Sequence, residues 1–111
     1  MDFEFRNVKV YQGAKAFHSA IQTVIEQKKP GRIMQDQLSR ASLSVALNIA
    51  EGYGRFHKAD KRNFYVMARA SLNESVACLD IIFDSEVPST LMASAVELGK
   101  MLSGLIKTFS T

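Results

Sequence analysis

The eight residues Arg55-Phe56-His57-Lys58-Ala59-Asp60-Lys61-Arg62 carry four fixed positive charges against one negative. Arg55, Lys58, Lys61 and Arg62 can meet phosphates by charge, and the rings of Phe56 and nearby Tyr53 can stack on bases. The segment is therefore the candidate nucleic-acid-binding element. Its excess of three charges equals that of the whole 111-residue chain, which sets 14 Lys and Arg against 11 Asp and Glu for a net +3. A surplus of that size permits anionic partners without requiring them.

A second group lies just upstream. Gln37, Arg40, Ser44, Asn48 and Glu51 fall within about a quarter-turn of one another when the chain is wound at about 100° per residue. Such a polar stripe reads first as a seam that fixes helix register or an intersubunit contact, and second as an anion or ligand site. Glu51 stands in the last turn before Gly52-Tyr53-Gly54, where a negative charge opposes the helix dipole by about 0.3–1 kcal/mol. A cation is expected beside it, from Arg55, or from Arg40 or Arg69 of the same or another subunit.

Patterns that would carry catalysis are missing. A di-metal bundle needs Glu-x-x-His pairs on facing helices, yet Lys15 stands three residues before His18 and Gly54 three before His57. There is no phosphate-cradling glycine loop of the Walker or dinucleotide type. His18 has no ligand spacing around it and reads as a surface or boundary residue. Cys78, the single cysteine, cannot form an intrachain disulfide and reads as buried filler inside an apolar run. No metal, no cofactor and no enzymatic activity are expected.

These groups need elements to position them. At 47% apolar and 23% charged residues the composition is that of a globular chain, and its length fits one domain over residues 1–111. Turn-forming clusters at Lys28-Lys29-Pro30-Gly31, at Gly52 to Asp60 and around Pro88 divide it into four segments. Helices are predicted at about 7–27, 33–53, 60–85 and 89–109, with Asn7 capping the first and Ser89 the last. The stripes are Val10, Ala14, Phe17, Ile21 and Val24 on the first helix, and Met34, Leu38, Ala41, Val45 and Ile49 on the second. Phe64, Ala68, Leu72, Ser75 and Leu79 mark the third, and Leu91, Ala95, Leu98, Leu102, Leu105 and Phe109 the fourth. Connections this short predict an all-α, antiparallel up-down-up-down four-helix bundle, with Phe3 and Phe5 on a short extended N-terminal arm laid across it. Small residues Ser42, Ala46 and Ala50, facing Ala68, Ser71 and Ser75, would let helix axes come close.

The second helix is apolar on two faces. Leu43 and Leu47 lie opposite the core stripe, and the third helix also carries Met67, Ala70 and Ile81 outside its own. Surplus apolar surface marks an interface, so homo-oligomerisation through Leu43 and Leu47 is expected, unless the N-terminal arm covers them. No apolar run approaches about 18 residues, and the start of the chain lacks the basic and apolar blocks of a signal peptide. No membrane association and a cytoplasmic location are expected.

The run Gln37-Leu38, Arg40-Ala41, Ser44-Val45, Asn48-Ile49-Ala50-Glu51-Gly52 and Gly54-Arg55, followed by Phe64, Ala68, Ser71-Leu72 and Glu74, resembles a known family. This is the bacterial four-helix-bundle proteins encoded in intervening sequences of 23S ribosomal RNA genes. The stretch Pro30-Gly31-Arg32-Ile33-Met34 is more basic than the acidic residue and Gly-Leu pair common there. The resemblance implies a homo-oligomer, commonly a pentamer. A related branch, the accessory proteins of diversity-generating retroelements, implies basic character and binding of nucleic acid and a reverse transcriptase. It implies no catalytic residue. Two functions follow as expectations: a non-enzymatic oligomer that binds RNA or other nucleic acid through the basic loop, or an oligomeric scaffold that binds a protein partner.

Overall fold

A computed structural model of the chain describes residues 1–110 and consists of four α-helices, with no strand among those residues. The helices are α1 (Lys9–Lys28), α2 (Arg32–Tyr53), α3 (Lys58–Ile82) and α4 (Ser89–Thr108). At about 1.5 Å per residue the 25 residues of α3 run almost the full 40 Å long axis of the molecule.

The predicted stripes form one core. Phe17, Ile21, Leu38, Val45, Ile49, Leu79, Leu98 and Leu102 are fully or almost fully buried, with Ala14 and Ala68 between them. Each helix meets its neighbour in sequence, and α1 also meets α4, so the apolar faces close around a single interior. Residue numbers fall on α2 as they rise on α1, and fall on α3 as they rise on α2. His18 of α1 meets Ser42 of α2 and Gln22 meets Ser39. Ser44 of α2 meets Ser71 of α3, and Gly52 lies against Phe64 and Tyr65.

The ends of the helices depart from the sequence reading, each for a local reason. Asn7 does not cap α1. It ends a 3-10 turn, Glu4–Asn7, and Val8, extended at φ −78°, accepts the first helical bond from the Gln12 amide. That turn replaces the extended arm expected at Phe3 and Phe5. Phe5 instead packs edge-on against Tyr11 at 4.9 Å between ring centres. At α4 the cap is Pro88, whose carbonyl takes the Met92 amide at 3.0 Å, and Ser89 is the first helical residue.

Helix α3 starts two residues before the expected position 60 and stops at Ile82, not near 85. Its stop is a Schellman motif. The Ser85 amide donates to the Asp80 carbonyl at 2.9 Å, the Asp84 amide donates to Ile81, and Asp84 turns left-handed at φ 49°. Lys29 ends α1 in the same conformation at φ 47°, its amide bonded to Ile25. Pro30 follows and has no amide hydrogen with which to continue a helix.

Candidate nucleic-acid interface

The basic segment spans the junction between α2 and α3, and its four cations have different occupations. Lys61 belongs to the buried stripe. At helical spacing the sequence Lys61, Tyr65, Ala68, Leu72, Ser75, Leu79 steps by four and three, and every member after Lys61 is buried. Lys61 itself is half-buried, and its ammonium turns back onto the end of α2, donating to the carbonyls of Tyr53 at 2.7 Å and Gly52 at 3.3 Å. It also lies 5.5 Å from the Tyr53 ring centre and 5.9 Å from that of Phe109. A positive charge on the last carbonyls of a helix complements its dipole, so Lys61, half-buried, joins α2, α3 and α4 and is engaged within the chain.

Arg55 is also engaged. Its guanidinium stands 3.3 Å from the Glu51 carboxylate and 4.7 Å over the Phe64 ring. The partner expected for Glu51 is therefore the residue one turn on. Both members of the pair are exposed, so it contributes little by itself, about 0–1 kcal/mol. Arg40 pairs instead with Asp36 at 3.6 Å, and Arg69 donates to the Ser103 hydroxyl of α4 at 3.4 Å.

Lys58 and Arg62 remain. Both are exposed, and neither has an ion-pair partner among the described residues. They stand four residues apart on α3 and so share one side of the helix. Asp60, about 200° round from Lys58, points elsewhere. Of the four candidate nucleic-acid residues the structure therefore leaves two without an ion-pair partner among the described residues and engages two in contacts with neighbouring side chains or carbonyls.

The polar stripe on α2 also divides. Its centre faces α3. The Asn48 amide donates to the Ser44 carbonyl and hydroxyl at 2.9 Å each, Ser71 donates to the Ser44 hydroxyl at 2.9 Å, and Ser75 donates to the Ser71 carbonyl. These bonds make a seam in which short side chains satisfy one another where the two helices run close. Gln37, Arg40 and Glu51, at the ends of the stripe, are exposed.

On the opposite flank of α2 a further network joins it to α1, which the sequence reading missed. Ser42 is fully buried, and its hydroxyl stands 2.7 Å from Nδ1 of His18 while donating to the Ser39 carbonyl. Gln22 reaches His18 Nε2 at 3.5 Å and donates to the Ser39 hydroxyl at 3.2 Å. With a proton on Nδ1 the histidine donates to Ser42 and accepts from Gln22, which gives every member a partner. No buried side-chain nitrogen or oxygen among the described residues lacks one. The His-Ser contact resembles half of a nucleophilic pair, but a fully buried hydroxyl has no access to substrate.

Leu43 and Leu47 point away from the core and are 43% and 56% exposed. The N-terminal turn lies against Ala50, Tyr53 and Gly54 at the far end of α2, where the Tyr53 hydroxyl donates to Glu4 at 3.4 Å. It leaves both leucines open. On α3, Met67 and Ile81 are exposed as well. Cys78 is buried, and burial, with the Glu74 charge second, pushes its thiol above its ordinary 9.0. Burial, with Tyr53 second, does the same to the Tyr65 phenol. Among the described residues no three His, Cys, Asp or Glu side chains converge as a metal site would require, and no helix is long and apolar enough to cross a membrane.

Four helices packed around one core, with a polar seam on either side of α2, define a class of small all-α proteins. A family comparison narrows that class: the description of the 23S rRNA-intervening sequence protein family matches residues 6–104. The chain belongs to that family. It is similar in structure to a protein of unknown function from the S23 ribosomal protein family of Bacteroides thetaiotaomicron VPI-5482, with a TM-score of 0.78. That likeness extends over 88% of this chain and 98% of the other at 22% identity, and it concerns the fold. No curated protein matches the chain.

Proposed function

We propose that the protein is a non-enzymatic homo-oligomer, a pentamer as the family resemblance implies, that binds RNA or other nucleic acid in the cytoplasm through the α2–α3 junction. The carrying observation is the uncovered pair Leu43 and Leu47 on the outer face of α2. Burying what remains exposed of these two side chains against a second copy is favourable by about 0.6–1.7 kcal/mol each, roughly half the value for a fully exposed leucine. The reading takes the helices as an antiparallel up-down-up-down bundle preceded by the short N-terminal turn, and the reversed order of contacts supports the antiparallel part. Within it, Lys58 and Arg62 meet phosphate, while Arg55 and Lys61 hold the junction that presents them. Two cations per chain make a weak site, and assembly multiplies it, because copies tethered in one particle act on the same strand. Gln37, Arg40, Ser44, Asn48 and Glu51 serve as seam and rim.

Native mass spectrometry with light scattering tests assembly. The wild-type chain is expected as a multi-subunit particle, and Leu43→Glu with Leu47→Glu as a single subunit of unchanged helicity. A wild-type chain that stays a single subunit at high concentration refutes it. Affinity for a structured RNA should fall steeply as salt rises, and no detectable binding at low salt removes the nucleic-acid part.

The second reading, an oligomeric scaffold for a protein partner, is favoured by a groove between α3 and α4. Leu72, Val76, Met92 and Ala95 line it, with Arg69 and Lys100 also on its walls. Capture of one defined protein after nuclease treatment would select it.

A further inference from the structure

Phe56 stands apart from the other aromatic residues. Phe17 is buried in the core, Phe5 packs on Tyr11, Tyr65 tilts against Phe109, and Phe64 lies under Arg55. Phe56 is 90% exposed. Its one ring partner among the described residues is His57, its neighbour in the chain, edge-on at 5.1 Å. A scattered exposed apolar residue is ordinary, but this ring stands two residues ahead of Lys58, the first of the two unpaired cations. No acidic residue occurs between Glu51 and Asp60. The junction that bears the ring is held from both sides, by Arg55 on Glu51 and Phe64 and by Lys61 on the α2 carbonyls, so the ring projects from a fixed base.

An exposed ring on a held turn, followed by two unpaired cations one helical turn apart, matches the needs of an unpaired nucleotide: a flat surface for the base and charge for the phosphates. In a duplex the bases are stacked on one another, so the phosphates are reachable but no base face is offered to the ring. We infer that the α2–α3 junction binds single-stranded nucleic acid in preference to duplex, with Phe56 as the stacking platform and Lys58 and Arg62 on the flanking phosphates. The inference rests on the nucleic-acid reading above and adds to it the kind of strand.

The test compares wild type, Phe56→Ala, Phe56→Trp and the double variant Lys58→Ala with Arg62→Ala. Fluorescence anisotropy at low salt would use three probes: single-stranded oligouridine, single-stranded oligothymidine of equal length, and a blunt RNA duplex. Phe56→Ala should weaken binding of both single strands about 5- to 150-fold, the range that corresponds to losing one stacked base, and leave duplex binding unchanged. Phe56→Trp should retain it. The double variant should weaken all three probes and flatten the salt dependence, whereas Phe56→Ala should leave the salt slope as it was. A 2-aminopurine placed in the single strand should be quenched by wild type and not by Phe56→Ala. If Phe56→Ala binds the single strands as wild type does, or loses single strand and duplex equally, the platform is refuted while nucleic-acid binding stands. If no probe binds wild type, both fail. If Phe56→Ala lowers the mass of the particle, the ring is an assembly contact and the inference is overturned.

Discussion

Gly52→Ala is the substitution on which the packing argument is most exposed. A Cβ built on Gly52 would lie 2.9 Å from Cε1 of Tyr65, 3.0 Å from Cβ of Phe64 and 3.2 Å from Cδ1 of Tyr65. Carbon atoms in good contact stand about 3.5–4.0 Å apart. Neither neighbour yields easily: Tyr65 is buried with its ring against Phe109, and Phe64 Cβ is bonded directly to the α3 backbone. The end of α2 must therefore move away from α3 by about half an ångström or more, and overpacking of this kind costs about 1–3 kcal/mol. Alanine recovers up to about 1 kcal/mol through its helix propensity, so the net loss expected is about 1 kcal/mol. That corresponds to a fall of roughly 4–8 °C in Tm for a domain of about this size. Gly54→Ala is the internal control. Its added Cβ meets only the carbonyls of Glu51 and Ala50, at 3.7 and 3.8 Å, and its φ of −77° suits any residue, so it should be neutral or slightly stabilising. Thermal denaturation of both variants at one protein concentration decides. A Gly52→Ala chain as stable as wild type, or a Gly54→Ala chain that loses as much, would refute the close approach of α2 and α3.

Lys61→Met should cost about 1 kcal/mol in chemical denaturation by uncapping α2, while Lys58→Ala changes stability by less than about 0.5 kcal/mol; equal losses would show that Lys61 has no special place. Lys29→Gly should raise stability by about 0.5–1 kcal/mol, because glycine meets φ 47° without the strain of a Cβ, and a drop in Tm would contradict the left-handed cap. The raised Cys78 and Tyr65 values mean that folding favours their protonated forms. Their contribution is complete below the unfolded values and is lost as pH rises through the folded ones. Stability should therefore decline from about pH 9 upward, less so in Cys78→Ala than in wild type relative to each chain at pH 7. An identical decline in both would remove Cys78 from the account.

The helices were readable because a 3.6-residue period is written along the chain itself: Leu38, Val45 and Ile49, or Leu91, Leu98 and Leu102, announce a buried side without knowledge of any partner. Leu43 and Leu47 were legible as outward for the same reason. What depends on chain reversal was not. The bonds from His18 to Ser42 span 24 residues, and nothing in either local pattern names the other. Asn7 and Ser89 have the right side chains for capping, yet caps go to whichever residue takes extended backbone, here Val8 and Pro88. The case of Lys61 is instructive, because its signal was present. It continues the stripe of Tyr65, Ala68 and Leu72 by one turn, whereas a stripe begun at Phe64 leaves it looking like one more solvated charge. The candidate interface was legible as a basic segment, but its division into two engaged and two unpartnered cations required the end of α2 to be in place.

The two hydrogen-bonded flanks of α2, one toward His18 and Gln22 and the other toward Ser71, make that helix the axle of the molecule. Sliding either neighbour along it by a turn would strand several polar groups at once, whereas among the described residues α4 is held by apolar packing, the reach of Arg69 to Ser103 and the Lys61 ammonium beside the Phe109 ring. Slow amide exchange should accordingly concentrate in the middle of α2. Natural or designed replacements of α4 that keep the spacing of Leu91, Leu98 and Leu102 should be accepted far more readily than any change to the central spindle.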